Sequence, residues 1–338
     1  MELNYKSHQL PLKYQFAVAN SKKTFAENIF IELYHEDKIG YGEAAPSYFY
    51  HEDPGTIKRF CNQIQSILKN NSLDIDSIMD ELNAASEGNF AAKAGINIAL
   101  FDLIGKKFIL PIYKYLGITN QHPMVTSFTI GIDKLEIIKK KVLSAQNFPI
   151  LKIKLGTEQD YYIIKTIREI TDRPLRIDAN EGWIKEEAVE KINWLESQNV
   201  ELIEQPLPSE NIDGTKWIRE RVNLPLFADE SLKNSQDIDK LTDAFDGINI
   251  KLMKCGGITE AVKMVRKARK LNLKTMIGCF IESSLGITAA AHISPLFDYL
   301  DLDGALLLKS DIFEGAKITD GHLTLPDRPG LGVQPIVL

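Results

Sequence analysis

Apolar and polar positions change rhythm once along this chain, near residue 120. Before that point, stretches 2–18 and 25–35 are rich in β-forming residues, the second being the clearer. The polar run 18–24 between them reads as a loop, and the glycine- and proline-bearing run 39–46 reads as turns. Asp53-Pro54 supplies an N-cap followed by proline at the first helical position, and helical periodicity continues to about Leu68. Further helices fit 75–85 and about 90–107, the latter placing Ala94, Ile98, Phe101 and Ile104 on one stripe. Pro111 opens a short helix that ends at Gly117. These elements predict an α+β unit over residues 1–118.

From Met124 short apolar strands alternate with helices. Strands are expected at 125–130, 150–155, 175–177, 200–204, 226–228, 247–250, 274–277 and 299–303. Helices are expected between them at 133–146, 158–170, 185–198, 211–221, 235–243, 258–271 and 285–293. Strands joined by helical crossovers must lie parallel. Eight of them predict an α/β fold closed as a barrel over residues 119–310, rather than an open doubly wound sheet. No GxGxxG follows the first strand, which weakens a dinucleotide fold further.

Composition narrows the class. The chain has 338 residues, 44% of them apolar, with a formal net charge of −6. That length supports about two domains, and mild acidity without a basic block argues against a nucleic-acid surface. No run of about 18 apolar residues suggests a membrane span, and the first residues lack a signal-peptide core. Cys61, Cys255 and Cys279 are too few and scattered for a disulfide framework, and the six histidines show no HxH or HExxH spacing. A reducing, cytoplasmic, soluble protein is expected, a homo-oligomer without a nucleic-acid or membrane partner.

The chemistry gathers at the strand ends. Lys152 and Lys154 alternate with Ile153 and Leu155, so both ammonium groups share a face and repel unless an anion lies between them. In a barrel, catalytic groups come from the C-terminal ends of strands. There stand Asp178, Glu204 and Asp229, spaced 26 and 25 residues apart, one per βα unit. Three carboxylates converging on one rim require a hard cation, and oxygen-only ligation favours Mg²⁺, with Mn²⁺ as a chemical substitute. Lys251 ends the sixth strand, across the barrel mouth from the second, and precedes Gly256-Gly257, where backbone comes close to something. Asp301 and Asp303, two residues apart on the last strand, would share a face and could hold one substrate ammonium.

Taken together, KxK at 152–154, Asp178-Ala-Asn180, Glu204-Gln-Pro206, Ala228-Asp-Glu-Ser231 and Lys251 followed by Gly256-Gly257 resemble the enolase superfamily, in its muconate-lactonizing subgroup. Residues 89–102 resemble that family's capping-domain helix. The resemblance implies a modified (β/α)7β TIM barrel with an α+β capping domain, residues 311–338 returning to the cap. It also implies Asp178, Glu204 and Asp229 as Mg²⁺ ligands, Lys154 and Lys251 as the acid/base pair, and Lys152 beside the enolate oxygens. Asn180 and Glu230 would stand behind the metal ligands.

The Asp301-Leu-Asp303 motif, with stretches 249–258 and 281–292, is similar to the dipeptide epimerases of that subgroup, where it holds the dipeptide's free amino group. Epimerases of Ala-Glu carry an arginine in the loop before the second strand. Aligning on Ala26-Glu27 puts Ser21 there, with Lys22 or Lys23 as a substitute lacking the bidentate fork. The implied substrate is therefore a dipeptide with a small or apolar second residue. Ser21, Thr129, Tyr50 and Ile281 are expected to contact it, with Tyr48 and Phe49 nearby. The alternatives are an L-Ala-D/L-Glu epimerase, an o-succinylbenzoate synthase or N-acylamino-acid racemase on the same scaffold, and a non-catalytic metal-binding paralogue.

Overall fold

Two long strands, β1 (Glu2–Val18) and β2 (Ser21–His35), form an antiparallel hairpin, and β3 (Lys38–Ala44) pairs with the other edge of β2. The computed structural model describes residues 1–19, 21–119 and 124–336. Asn20, in the expected polar loop, and residues 120–123, at the start of the expected barrel segment, lie outside the described residues. That loop is shorter than expected, because Val18 pairs with Ser21, Ala17 with Lys22 and Phe16 with Lys23. A hairpin tip is held by its backbone ladder, so polar side chains there carry no loop signal.

β3 replaces the turns expected over 39–46. Its glycines serve packing: a Cβ on Gly40 would lie 2.2 Å from the Ala99 carbonyl oxygen, and one on Gly42 1.9 Å from that of Gly95. Their absence lets the Phe90–Phe108 helix lie directly on the sheet. That helix is buried on every side from Ala91 to Gly105, beyond the single stripe expected. Its far side meets the barrel, where Asn97 Oδ1 accepts from the Ile258 N–H at 2.7 Å. A helix covered on both faces has no solvent side to mark with polar residues. The Pro54–Gln63 helix starts as read, with Asp53 accepting from the Thr56 N–H at 2.8 Å.

Eight parallel strands follow in chain order: β4 (Phe128–Ile130), β5 (Leu151–Lys154), β6 (Leu175–Asp178), β7 (Val200–Glu204), β8 (Leu226–Ala228), β9 (Gly247–Lys251), β10 (Lys274–Gly278) and β11 (Tyr299–Asp301). A parallel bridge between Thr126 and Leu300 joins the two ends and nearly closes the ring. The expected α/β barrel beside an antiparallel α+β layer is therefore present. One crossover differs: the helix expected at 235–243 is only a 3₁₀ turn, Ile238–Leu241. Asp237 there accepts from the Lys233 and Asn234 N–H groups, a local bond that competes with helix propagation. Near the C-terminus Phe313 packs against Phe30 and Tyr41 of the antiparallel sheet, with ring centroids at 5.8 and 5.5 Å. No helix among the described residues is long and apolar enough to cross a membrane.

Candidate active site

Strand register sets the key side chains at one level of the ring. Lys154 lies opposite Asp178 and Asp178 opposite Glu204, while Lys251 lies opposite Gly278 and Gly278 opposite Asp301. Asp229 follows β8 directly. Since β5 and β9 are four strands apart in a ring of eight, Lys154 and Lys251 stand on facing walls, and the acids of β6, β7 and β8 lie between them.

The ion pairs are close and buried. Lys152 Nζ is 3.0 Å from Asp178, 2.8 Å from Glu204 and 2.8 Å from Asp301. Lys154 Nζ is 2.6 Å from Asp178, and Lys251 Nζ is 2.7 Å from Asp229. Burial works against the charge on Lys152, but Asp178, Asp301 and Glu204 outweigh it and hold its pKa well above the usual lysine value. Lys251 is likewise disfavoured by burial and held up by Asp229. Burial would raise Asp178 and Asp229, yet the surrounding ammonium groups keep both below the usual carboxylate range. Glu204 goes the other way: burial and the Asp178 charge push it up to about 7. Burial and Asp229 push Glu230 up to about 8.

Burial is the larger cause of those raised values, and the neighbouring carboxylates add to it. The carboxyl groups of Asp178, Glu204, Asp229, Glu230, Asp301 and Asp303 interleave with the ammonium groups of Lys152, Lys154, Lys251 and Lys254. In this cluster the acids outnumber the bases, and a cation placed among them would offset the surplus. One oxygen from each of Asp178, Glu204 and Asp229 lies within 4.8 Å of the others. Glu204 Oε2 sits near the Lys152 ammonium but outside hydrogen-bond geometry, and Glu230 Oε2 is buried without a donor among the described residues. An all-oxygen, over-acidic, partly unsatisfied cluster fits a hard cation such as Mg²⁺.

A cavity of about 810 Å³ opens over this cluster. Ser21, Tyr50, Thr129 and Ile281 line it, as do Lys22 and Lys23. Asn180 and Glu230 line it too, with Asn180 Nδ2 donating to Glu230 at 3.0 Å. Tyr48 and Phe49 border the same space, both exposed. Asp301 ends β11, and Asp303 lies beyond it in a turn, so the two do not share a strand face as expected. The Leu302 N–H is drawn aside by Thr126 Oγ1 at 2.7 Å. Both residues nonetheless line the cavity. Ser127 Oγ donates to Asp301 at 2.7 Å, and the Thr129 N–H donates to Asp303 at 2.6 Å. Burial and the Asp301 charge push Asp303 up to about 7.

Sequence reasoning missed the residues that hold this set in place. Lys254 Nζ donates to Asp229 Oδ1 and to the Asp229 carbonyl, each at 2.6 Å, and to the Asn249 carbonyl at 3.1 Å. Asn249 Nδ2 donates to Glu204 at 2.8 Å, and Gln205 Oε1 accepts from the Asp229 N–H at 3.0 Å. The Gly256-Gly257 pair does mark a close approach, but to the long helix: a Cβ on Gly257 would lie 2.5 Å from Asn97 Oδ1.

The whole architecture has relatives. Residues 138–336 match the enolase C-terminal domain-like family, and residues 6–117 match the mandelate racemase/muconate lactonizing enzyme N-terminal domain. An L-Ala-D/L-Glu epimerase of Bacteroides thetaiotaomicron is 39% identical over 99% of this chain and 88% of its own length. An L-Ala-D/L-amino acid epimerase of Pedosphaera parvula is 39% identical over 99% of each. The crystal structure of a dipeptide epimerase from Cytophaga hutchinsonii, complexed with Mg and D-Ala-L-Val, superposes with a TM-score of 0.93 at 32% identity, covering 99% of this chain and 96% of that one. This chain belongs to the mandelate racemase/muconate lactonizing enzyme family of the enolase superfamily.

Proposed function

We propose that this chain is an Mg²⁺-dependent dipeptide epimerase, an isomerase that inverts the α-carbon of the C-terminal residue by two-base proton transfer. The observation that carries this reading is the pair Lys154 and Lys251 on facing walls of one acid-lined ring. The epimerases among its relatives support the reaction class. Asp178, Glu204 and Asp229 would hold the cation. A divalent charge there supplies Lewis-acid stabilisation to a nearby carboxylate, with Mn²⁺ able to replace Mg²⁺.

Lys152 faces the substrate's terminal carboxylate and meets the charge that develops on it as the α-proton leaves. Asp301 and Asp303 hold the amino terminus, which fixes the length and direction of the substrate. One of Lys154 and Lys251, as the neutral amine, takes the α-proton through Nζ while its counterpart stands as the ammonium. The other returns a proton to the opposite face, so the centre inverts. General acid–base help of this kind contributes about 10²–10⁴-fold.

The second residue is small or apolar in this reading. Ser21 stands where an arginine would pair with a glutamate side chain, and Phe16, Val18, Phe25 and Leu307 share the cavity with it. A second reading, an acidic second residue, is favoured by Lys22 and Lys23 in the same wall and by the Ala-Glu relative. The deciding experiment offers L-Ala-L-Ala, L-Ala-L-Val, L-Ala-L-Glu and N-acetyl-L-Ala-L-Val with Mg²⁺ in D₂O and follows α-deuteration by mass spectrometry. Free apolar dipeptides should exchange and the acetylated one should not. Exchange in none of them would end the epimerase reading, and preference for the acetylated one would favour an N-acylamino-acid racemase.

A further inference from the structure

Glu43 lies outside the ring of charges, at the end of β3 in the antiparallel sheet, yet it is fully buried. Four donors surround its carboxyl group. Asn28 Nδ2 donates to Oε1 at 2.7 Å and the Ser283 N–H at 2.9 Å; Ser283 Oγ donates to Oε2 at 2.5 Å and the Gly286 N–H at 3.0 Å. Burial raises the pKa of this carboxyl, and its donors oppose the rise. Ser283 and Gly286 belong to the cap and first turn of the Ser284–Ile293 helix, whose N–H groups have no partners within the helix. A side chain from the sheet thus closes the end of a barrel helix.

The same contact reaches the cavity. Asn28, besides bonding Glu43, donates to the Ile281 carbonyl at 2.9 Å. The loop 279–283, between β10 and the helix, is therefore held from the sheet at two points. That loop carries Phe280 and Ile281 into the cavity wall. The Phe280 ring lies 5.2 Å from the Lys251 ammonium and stacks on Tyr50 with centroids 6.1 Å apart. Gly286 makes the packing possible, since a Cβ there would lie 2.4 Å from Glu282 Oε2 and 3.0 Å from Glu43 Oε2.

We propose that Glu43 is a positioning residue for one half of the reaction: by holding the 279–283 loop it sets Phe280 against Lys251, and so governs proton transfer on the face that Lys251 serves. This rests on the two-lysine reading above. Among the described residues nothing comparable ties Glu43 to Lys154, which hangs on β5 at the opposite wall. Loss of Glu43 should therefore act more strongly on one epimer than on the other.

The test measures α-proton exchange in D₂O separately for each epimer of L-Ala-Val, in wild type, Glu43→Gln and Phe280→Ala, with Mg²⁺ present and folding checked by circular dichroism. Glu43→Gln keeps the size of the side chain but points an amide N–H₂ at donors. Exchange should fall about 10- to 10²-fold for the epimer whose proton faces Lys251, the scale of a small misplacement of a reacting group. The other epimer should lose several-fold less, and Phe280→Ala should give the same asymmetry. Equal losses for both epimers in a folded variant, or no loss, would overturn the proposal. Should Glu43→Gln fail to fold, Asn28→Ala, which leaves the helix cap intact, must give the same unequal fall, and a symmetric result there is equally fatal. A wild-type protein that exchanges neither epimer instead removes the underlying epimerase reading.

Discussion

Lys254 Nζ grips Asp229 twice, donating to a carboxylate oxygen and to the backbone carbonyl at 2.6 Å each. Lys251 holds the remaining oxygen at 2.7 Å. Lysines three residues apart thus divide one aspartate between them. Lys254 also bonds the Asn249 carbonyl at 3.1 Å, so it ties the end of β8 to β9. Removing its charge alone would tighten cation binding, whereas losing its three bonds would let Asp229 drift. We expect position to prevail: Lys254→Met should weaken Mg²⁺ binding by about 10–100-fold, the usual cost of losing a group that orients a metal ligand. Calorimetric titration with Mg²⁺ reads this directly, and tighter binding would refute it.

The facing lysines make a sharper prediction. Lys154→Ala and Lys251→Ala should each lower epimerisation by at least about 10²–10⁴-fold, with circular dichroism unchanged. In one single variant, α-proton exchange should persist for one stereoisomer, because the surviving lysine still serves its own face. Turnover retained in both variants would rule out the two-base scheme.

Removing the cation should have a reversible effect. Chelation by EDTA should abolish exchange, and Mg²⁺ or Mn²⁺ should restore it, since both suit an all-oxygen donor set. Full activity in excess chelator would dismiss the role given to Asp178, Glu204 and Asp229.

What was legible in the sequence follows a single physical rule. Asp178, Glu204 and Lys251 close their strands, and Asp229 follows β8 directly, so regular βα spacing was enough to bring them to one rim. Lys152 and Lys154 were legible because a strand alternates its faces. Lys254 was not, because it enters from the four-residue helix Leu252–Cys255, whose turn back toward Asp229 has no signature in spacing. Gly40 and Gly42 misled because glycine signals a turn and a close helix contact equally. Glu43, beside them, gained its partners Ser283 and Gly286 from some 240 positions away, a distance no local pattern spans.

Those glycines carry a stability prediction. An added methyl on Gly42 would meet the backbone oxygen of Gly95 at 1.9 Å, and backbone cannot swing aside as a side chain can. Gly42→Ala should therefore cost about 1–3 kcal/mol, the range for overpacking a filled interior. Thermal or urea denaturation checks it, and an unshifted midpoint would mean that the Phe90–Phe108 helix lies farther from β3 than described.

His292 gives the protein a pH dependence that can be worked out in sign. It is fully buried, with Nδ1 accepting from the Tyr113 N–H at 3.3 Å and Nε2 3.0 Å from the Leu331 carbonyl. That pairing suits the neutral ring with its proton on Nε2, and a second proton would confront the Tyr113 N–H. Burial lowers the pKa from 6.5 to about 4. Between those values the unfolded chain binds a proton that the folded chain refuses, so acid favours unfolding. This contribution is intact above 6.5 and is lost as the pH falls toward 4. By about pH 5 it amounts to about 2 kcal/mol, from 1.36 kcal/mol per unit. Comparing urea midpoints of wild type and His292→Asn at neutral pH and near pH 5 isolates it from the acidic groups that titrate in both. The wild type should lose about 2 kcal/mol more than the variant on acidification. Equal losses would mean that His292 takes up its proton without breaking the link between Tyr113 and Leu331.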